Sequence, residues 1–134
     1  ELMRIPLFGW ALRFLKPIAI DRSQRFKALK QLISQGKDRL EEGISVLIFP
    51  EGTFFPKVAP GEYLKGSAAL ASSTGYPILP VVHNSGEHWP PDKLLKIPGT
   101  IQIVIGPAIH SEIHSIDEIQ KKTVSWINEA IKKW

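Results

Sequence analysis

Three short polar clusters break the apolar runs of this chain: Asp21-Arg22, Glu51-Gly52-Thr53 and His83-Asn84. Arg22 would offer a planar fork of N–H donors that fits two phosphate oxygens. Glu51 would accept from a hydroxyl, and Gly52 would let a ligand come close to the backbone. Taken together the set suits a phosphorylated alcohol. Each member also has a plainer reading: Arg22 could pair with Asp21 or a helix carboxylate, Glu51 could be a turn acid, and Thr53 could close a hydroxyl turn. His83 and His88 invite a metal reading, but their spacing puts them on a strand end and a Trp-Pro-Pro loop, with no third or fourth ligand to converge on zinc. Ser85 beside Gly86 lacks the Gly-x-Ser-x-Gly elbow of a hydrolase. A polar strand-to-loop junction accounts better for both.

The elements that must carry these clusters are readable from periodicity. Ile5, Phe8, Leu12 and Leu15 fall at helical spacing, which predicts a short helix over Arg4 to Leu15 with Pro6 in its first turn. Pro17 to Ile20 is strand-length and ends in Asp21-Arg22. Ser23 would cap a helix carrying Phe26, Leu29, Leu32, Ile33 and Leu40 that stops at Gly43. Ile44 to Phe49 is nearly all apolar, as in a strand covered on both faces. An irregular stretch rich in Pro and Gly runs to Gly61, then an Ala-rich helix from about Tyr63 to Thr74 closed by Gly75. Pro77 to Val82 and Thr100 to Ile105 read as strands separated by a polar loop from His83 to Pro98. Ser115 and Glu118 form a capping-box signature ahead of a helix bearing Ile116, Ile119, Trp126, Ile127, Ala130, Ile131 and Trp134. Alternating helices and strands predict an α/β fold, a mostly parallel central sheet flanked by helices, in one domain over residues 1–134. In such a sheet the ligand crevice lies beyond the carboxyl ends of the strands, where the three clusters fall.

Composition narrows the functional classes. The chain has 134 residues, 43% of them hydrophobic, enough to fold and too many for a disordered polymer. It has no cysteine, which excludes a disulfide framework, a thiol nucleophile and a Cys-based zinc or iron–sulfur site. No apolar run reaches the ~18 residues of a membrane-spanning helix. The net charge of +4 is uneven, with +6 carried by residues 1–40. Such a face attracts polyanions, whether phospholipid head groups, nucleotides or nucleic acid, although it also fits a solvated helix face. Nucleic acid fits less well, because the basic residues are not interleaved with aromatics. The tryptophans read as core or cap residues, while Phe8 and Trp10 beside basic residues could also lie at a bilayer surface. Position 1 is Glu and no leader pattern opens the sequence, so a longer parent chain is expected.

Phe49-Pro-Glu-Gly-Thr53 resembles the Phe-Pro-Glu-Gly-Thr block of the glycerophospholipid acyltransferases. Other blocks follow in that family's order. Ile5-Pro-Leu-Phe-Gly-Trp10 resembles the segment before its second motif, Ile18-Ala-Ile-Asp-Arg22 that motif, Lys65-Gly66 the Lys-Gly after the Glu-Gly-Thr loop, and Ile78-Leu-Pro-Val-Val82 its fourth motif. The resemblance spans residues 2 to about 110. It implies a glycerol-phosphate acyltransferase-like fold, N-terminally truncated, and acyl transfer from acyl-CoA or acyl-carrier protein to a hydroxyl of lysophosphatidic acid or a related glycerol phosphate, with no further cofactor. By the same resemblance Arg22 binds the acceptor phosphate, Glu51 and Gly52 position the glycerol, and Thr53 shapes the loop. Lys65 is a second phosphate ligand and Pro80 sits near the acyl pocket. With the +6 opening segment, an anionic membrane surface is expected as partner, no nucleic acid is expected, and the full-length protein is expected at the cytoplasmic face of a bacterial inner membrane. Two departures stand out. The family's His-x-x-x-x-Asp pair, the general base and its orienter, is expected upstream of Glu1. Five positions after His83, His88, His110 and His114 stand His88, Lys93, Ser115 and Ile119. Phe54-Phe55 also follow Glu-Gly-Thr where the family often has Arg or Ser, which shifts phosphate binding to Arg22 and Lys65 or points to a more apolar acceptor. The alternative of a different class is a non-catalytic module binding anionic lipid or phosphate.

Overall fold

A computed structural model describes residues 6–7, 10–11, 14–20, 24–52, 63–90 and 93–132. Two compact units divide the chain, Glu1–Leu47 and Ile48–Trp134.

The first unit is built on α1, Arg25–Glu41. Its N-cap is Gln24, without a side-chain cap bond, where the sequence nominated Ser23. At the other end the Gly43 N–H donates to the Leu40 carbonyl, at the expected stop. Half of the helix expected over Arg4–Leu15 lies outside the described residues, and of the rest Trp10, Ala11 and Phe14 are helical. The strand expected over Pro17–Ile20 has no ladder partner among them. A side chain takes that place: the Gln35 amide accepts from Ala19 N at 3.1 Å and donates to Ala19 O at 2.8 Å. Arg39 Nε donates to the Lys16 carbonyl at 3.1 Å, and Lys16 pairs with Glu42. That ion pair holds the Glu42 carboxyl below the usual carboxylate range, chiefly through the Lys16 hydrogen bond.

Residues 44–49 form no ladder either. Ile44, Val46 and Ile48 are half-buried, whereas Ser45, Leu47 and Phe49 are exposed. The expected strand, covered on both faces, is thus an extended segment covered on one.

The second unit holds α2 (Gly66–Thr74), β1 (Val81–His83), the single turn α3 (Ser85–His88), β2 (Ile103–Ile105) and α4 (Ile116–Ile131). α2 ends where expected, with Gly75 in the left-handed region (φ 78°) and its N–H on the Ala71 carbonyl. The parallel sheet expected from the alternation is replaced, among the described residues, by an antiparallel ladder in the register Val81↔Ile105, Val82↔Val104, His83↔Ile103. An isolated antiparallel bridge, Ile78↔Ile109, continues it. The connection is consistent with that direction: it is long enough for a crossover, but among its described residues it holds one helical turn and no crossover helix, the usual link between parallel neighbours.

α4 begins at the capping box the sequence specifies. Ser115 Oγ accepts from Glu118 N at 3.3 Å, and Ser115 N donates to Glu118 Oε2 at 2.8 Å. The Ser115 N–H, and after it the Ser115 hydroxyl donating to the same carboxylate oxygen at 2.9 Å, lower the Glu118 pKa. The helix packs on α2 and β1 through two apolar clusters. One joins Ala68, Ile109 and Ile119, with Ile78 against them. The other joins Val82, Ile127 and Ala130, with Tyr63 and Trp126 alongside. Ala68, a buried small residue, leaves room for the Ile119 side chain packed in the same cluster.

Candidate active site

Pro50 and Glu51 occupy the two central positions of a turn closed by Gly52 N donating to Phe49 O at 3.2 Å. Proline at the first central position has its φ already set for such a turn. Gly52 lies at φ +66°, and a Cβ there would come within 2.7 Å of Leu64 Cδ1. Both the backbone angle and the close neighbour call for glycine. The turn is tied to the segment that leads into α2 by Leu64 N donating to Pro50 O at 2.8 Å. Glu51, half-buried, thereby stands at a fixed point of the backbone.

Tyr63, which sequence reasoning missed, lies within electrostatic reach of Glu51. Burial, and secondarily the Glu51 carboxylate, raise its phenol pKa, so the ring stays protonated across the neutral range. Its carbonyl accepts from Gln120 Nε2 at 3.1 Å, which fastens this segment to α4. The signal was its place two residues before the Lys65-Gly66 pair.

Lys65 sits at the N-cap of α2 with its ammonium 2.7 Å from Asp117 Oδ1, on the first turn of α4. Both side chains are largely exposed, at 64% and 79%. An ion pair so wet is worth about 0–1 kcal/mol, so a phosphate can recruit this lysine cheaply. Pro80 is buried, and its carbonyl accepts from Gly106 N at 2.8 Å. Arg22 and Thr53 lie outside the described residues.

The third nominated cluster does structural work. Asn84 Oδ1 accepts from Gln102 N at 2.8 Å and Asn84 N donates to Gln102 O at 3.3 Å, closing the end of the ladder. His83 Nδ1 lies 2.8 Å from Ser85 Oγ. Both His88 nitrogens face backbone carbonyls. Among the described residues no three His, Asp or Glu side chains gather as a metal site requires.

A family profile described as Acyltransferase matches residues 1–84, a stretch that takes in the turn at Glu51, Lys65 and Pro80. The chain belongs to the acyltransferase family. It is 50% identical over 134 residues to the 1-acyl-sn-glycerol-3-phosphate acyltransferase of Pseudomonas aeruginosa, covering 98% of this chain and 52% of that protein. An acyltransferase of the same name from Chlamydomonas reinhardtii is 33% identical over 107 residues, 78% of this chain and 32% of its own length. The crystal structure of the 1-acyl-sn-glycerophosphate acyltransferase PlsC from Thermotoga maritima superposes with a TM-score of 0.79 at 28% identity, over 99% of this chain and 53% of that one. The α/β acyltransferase fold expected from the motifs is therefore the fold of this chain, antiparallel ladder included. The chain spans about half the length of the Pseudomonas relative it matches.

Proposed function

We propose that this chain supplies the acceptor-binding part of a 1-acylglycerol-3-phosphate acyltransferase, which moves an acyl group from acyl-CoA or acyl-carrier protein to a hydroxyl of lysophosphatidic acid in phospholipid synthesis. The observation that carries the reading is the 50% identity to the Pseudomonas enzyme across nearly the whole chain. The fixed turn at Glu51-Gly52 gives it a physical basis. A carboxylate held on a tied turn can accept from a glycerol hydroxyl and orient it, and glycine at 52 is what lets that turn close against Leu64. The family resemblance assigns Arg22 and Lys65 to the acceptor phosphate and Pro80 to the acyl chain, and the exposed Lys65–Asp117 pair leaves Lys65 available for that role. In the reaction a base takes the proton of the acceptor hydroxyl, the oxygen attacks the thioester carbonyl, the C–S bond breaks, and the thiolate leaves with a proton. The base is the His of a His-x-x-x-x-Asp pair that the resemblance places ahead of Asp21-Arg22, and these 134 residues contain no such spacing. Residues 1–134 serve one acyltransferase domain, a reading supported by the family match, which runs through both units. The acceptor is a lipid and residues 1–40 carry +6, so the protein works at an anionic membrane surface, on the cytoplasmic side. Among the described residues no helix is long and apolar enough to cross a membrane.

Thioester consumption tests the assignment, measured on this chain alone and with a His-x-x-x-x-Asp segment joined ahead of Glu1. Turnover is expected only in the second. There Arg22→Ala should raise the acceptor KM about ten- to a hundredfold, the worth of a charged hydrogen bond, and leave the thioester KM nearly unchanged. Arg22→Lys should rescue in part. Glu51→Gln should lower kcat/KM while phosphate binding survives. Turnover in neither form, with lysophosphatidate still bound, would favour the non-catalytic binding module.

A further inference from the structure

The loop between α3 and β2 reads Trp89-Pro-Pro-Asp-Lys-Leu-Leu-Lys-Ile97, two adjacent leucines between two lysines. Its base is pinned. Ile97 N donates to His88 O at 2.8 Å, and Trp89 N donates to Ser85 O at 2.8 Å. The His88 ring stands between the carbonyls of Ile97 and Thr100, at 3.2 and 3.1 Å, and packs where a side chain at position 99 would be if that residue were not glycine. Above this base Leu94 is 98% exposed and Leu95 84%. An apolar pair presented to water on a closed loop forgoes the burial that folding normally secures.

We infer that this loop is a membrane-docking element that seats Leu94 and Leu95 among the acyl chains of an anionic lipid surface. The surrounding groups match that occupant. Lys96 Nζ lies 4.1 Å from the centre of the Trp89 ring and also reaches the carbonyls of Lys93 and Leu94, at 3.3 and 3.4 Å. An indole capped by an ammonium, beside bare leucines, is the layering an interface demands: apolar side chains among acyl chains, indole at the head groups, amines at the phosphates. By sequence this segment holds two lysines, Lys93 and Lys96, and one carboxylate, Asp92, so its net charge is positive. A tip of two leucines and an indole is far smaller than the roughly 1,200 Å² that a stable protein interface buries, whereas a bilayer requires only insertion. The inference deepens the membrane part of the function proposed above and rests on it. It adds that apolar insertion here, besides the basic opening segment, sets the affinity.

Co-sedimentation of the 134-residue chain with phosphatidylglycerol–phosphatidylcholine vesicles, and with phosphatidylcholine alone, tests it. Leu94→Glu/Leu95→Glu should lower binding to the anionic vesicles about tenfold or more. Lys93→Gln/Lys96→Gln should lower it severalfold on anionic vesicles and leave the phosphatidylcholine arm unchanged. Vesicles with brominated acyl chains should quench the Trp89 emission, and Trp89→Phe should remove that quenching. Binding by the Leu94→Glu/Leu95→Glu chain equal to the unmodified chain overturns the loop's role and leaves the basic segment to carry membrane attachment. Loss on charge removal alone, with no bromine quenching, overturns insertion. No vesicle binding by the unmodified chain overturns both the loop inference and the membrane reading, whatever the thioester assay shows.

Discussion

α1 and α4 are nearly equal in length, 17 and 16 residues, and both carry an apolar stripe, yet they are held by different forces. α1 leaves Phe26 92% exposed and buries only Gly36, and its described ties are polar: the Gln35 amide on Ala19, Arg39 on the Lys16 carbonyl, Lys16 on Glu42. α4 buries Ile119, Thr123, Ile127 and Ala130 and starts at a complete capping box. The difference lies in the partner. α2 offers a run of alanines, and small side chains bring a second helix close enough for a branched one to be enclosed. An amphipathic stripe states which face can be buried; whether it is depends on a surface shaped to take it.

Ile119→Ala attacks that enclosure directly. Ile119 is fully buried, and truncating it should cost about 2–5 kcal/mol in denaturant unfolding, the transfer loss plus a cavity. A loss well under 1 kcal/mol would erase the contrast with α1. Ser115→Ala removes the cap and should cost about 1 kcal/mol. Its penalty should depend on pH. The Glu118 carboxyl ionises more easily in the fold than in the unfolded chain, so its contribution is complete above the ordinary carboxylate value and is lost as pH falls through the lowered folded one. The gap between the urea melts of the two proteins should therefore narrow on acidification without closing, because only the hydroxyl's bond to the carboxylate titrates away while the Glu118 N–H bond to the hydroxyl persists. A gap unchanged in acid would mean that the hydroxyl–carboxylate bond contributes nothing. The smallest change is expected from Phe26→Ala in α1, within about 0.5 kcal/mol, because the ring is already in water. A loss above 2 kcal/mol would mean that α1 also buries its stripe.

Legibility in the sequence followed the range of the forces involved. The capping box, the Gly75 stop and the two strands near Val82 and Val104 were readable because each depends on neighbours a few residues away. Strand direction was not, since it turns on whether the loop after His83 forms a crossover helix, and its single turn is too short for one. The Pro17–Ile20 run looked like a strand because apolar pattern cannot show that its hydrogen-bonding partner is a glutamine side chain. At the candidate site, Glu51 and Gly52 were nominated from a local motif. Tyr63 and Asp117 were not, because burial and a contact 52 residues away in sequence made them neighbours of Glu51 and Lys65.

The Gln35 amide has a consequence for the order of assembly. It joins positions 16 apart, whereas the bonds that tie α4 to the start of α2 span 52 and 57 residues. Loop-closure entropy rises by about 0.6 kcal/mol for each doubling of length, so the clasp is the cheaper closure by about 1 kcal/mol. Once α1 has formed, one side chain can capture the extended segment at both its N–H and its carbonyl, without waiting for a neighbouring strand to arrive from elsewhere in the chain. The polar unit is the one that chain entropy opposes least, and the apolar unit, held more firmly at the end, has the longer search.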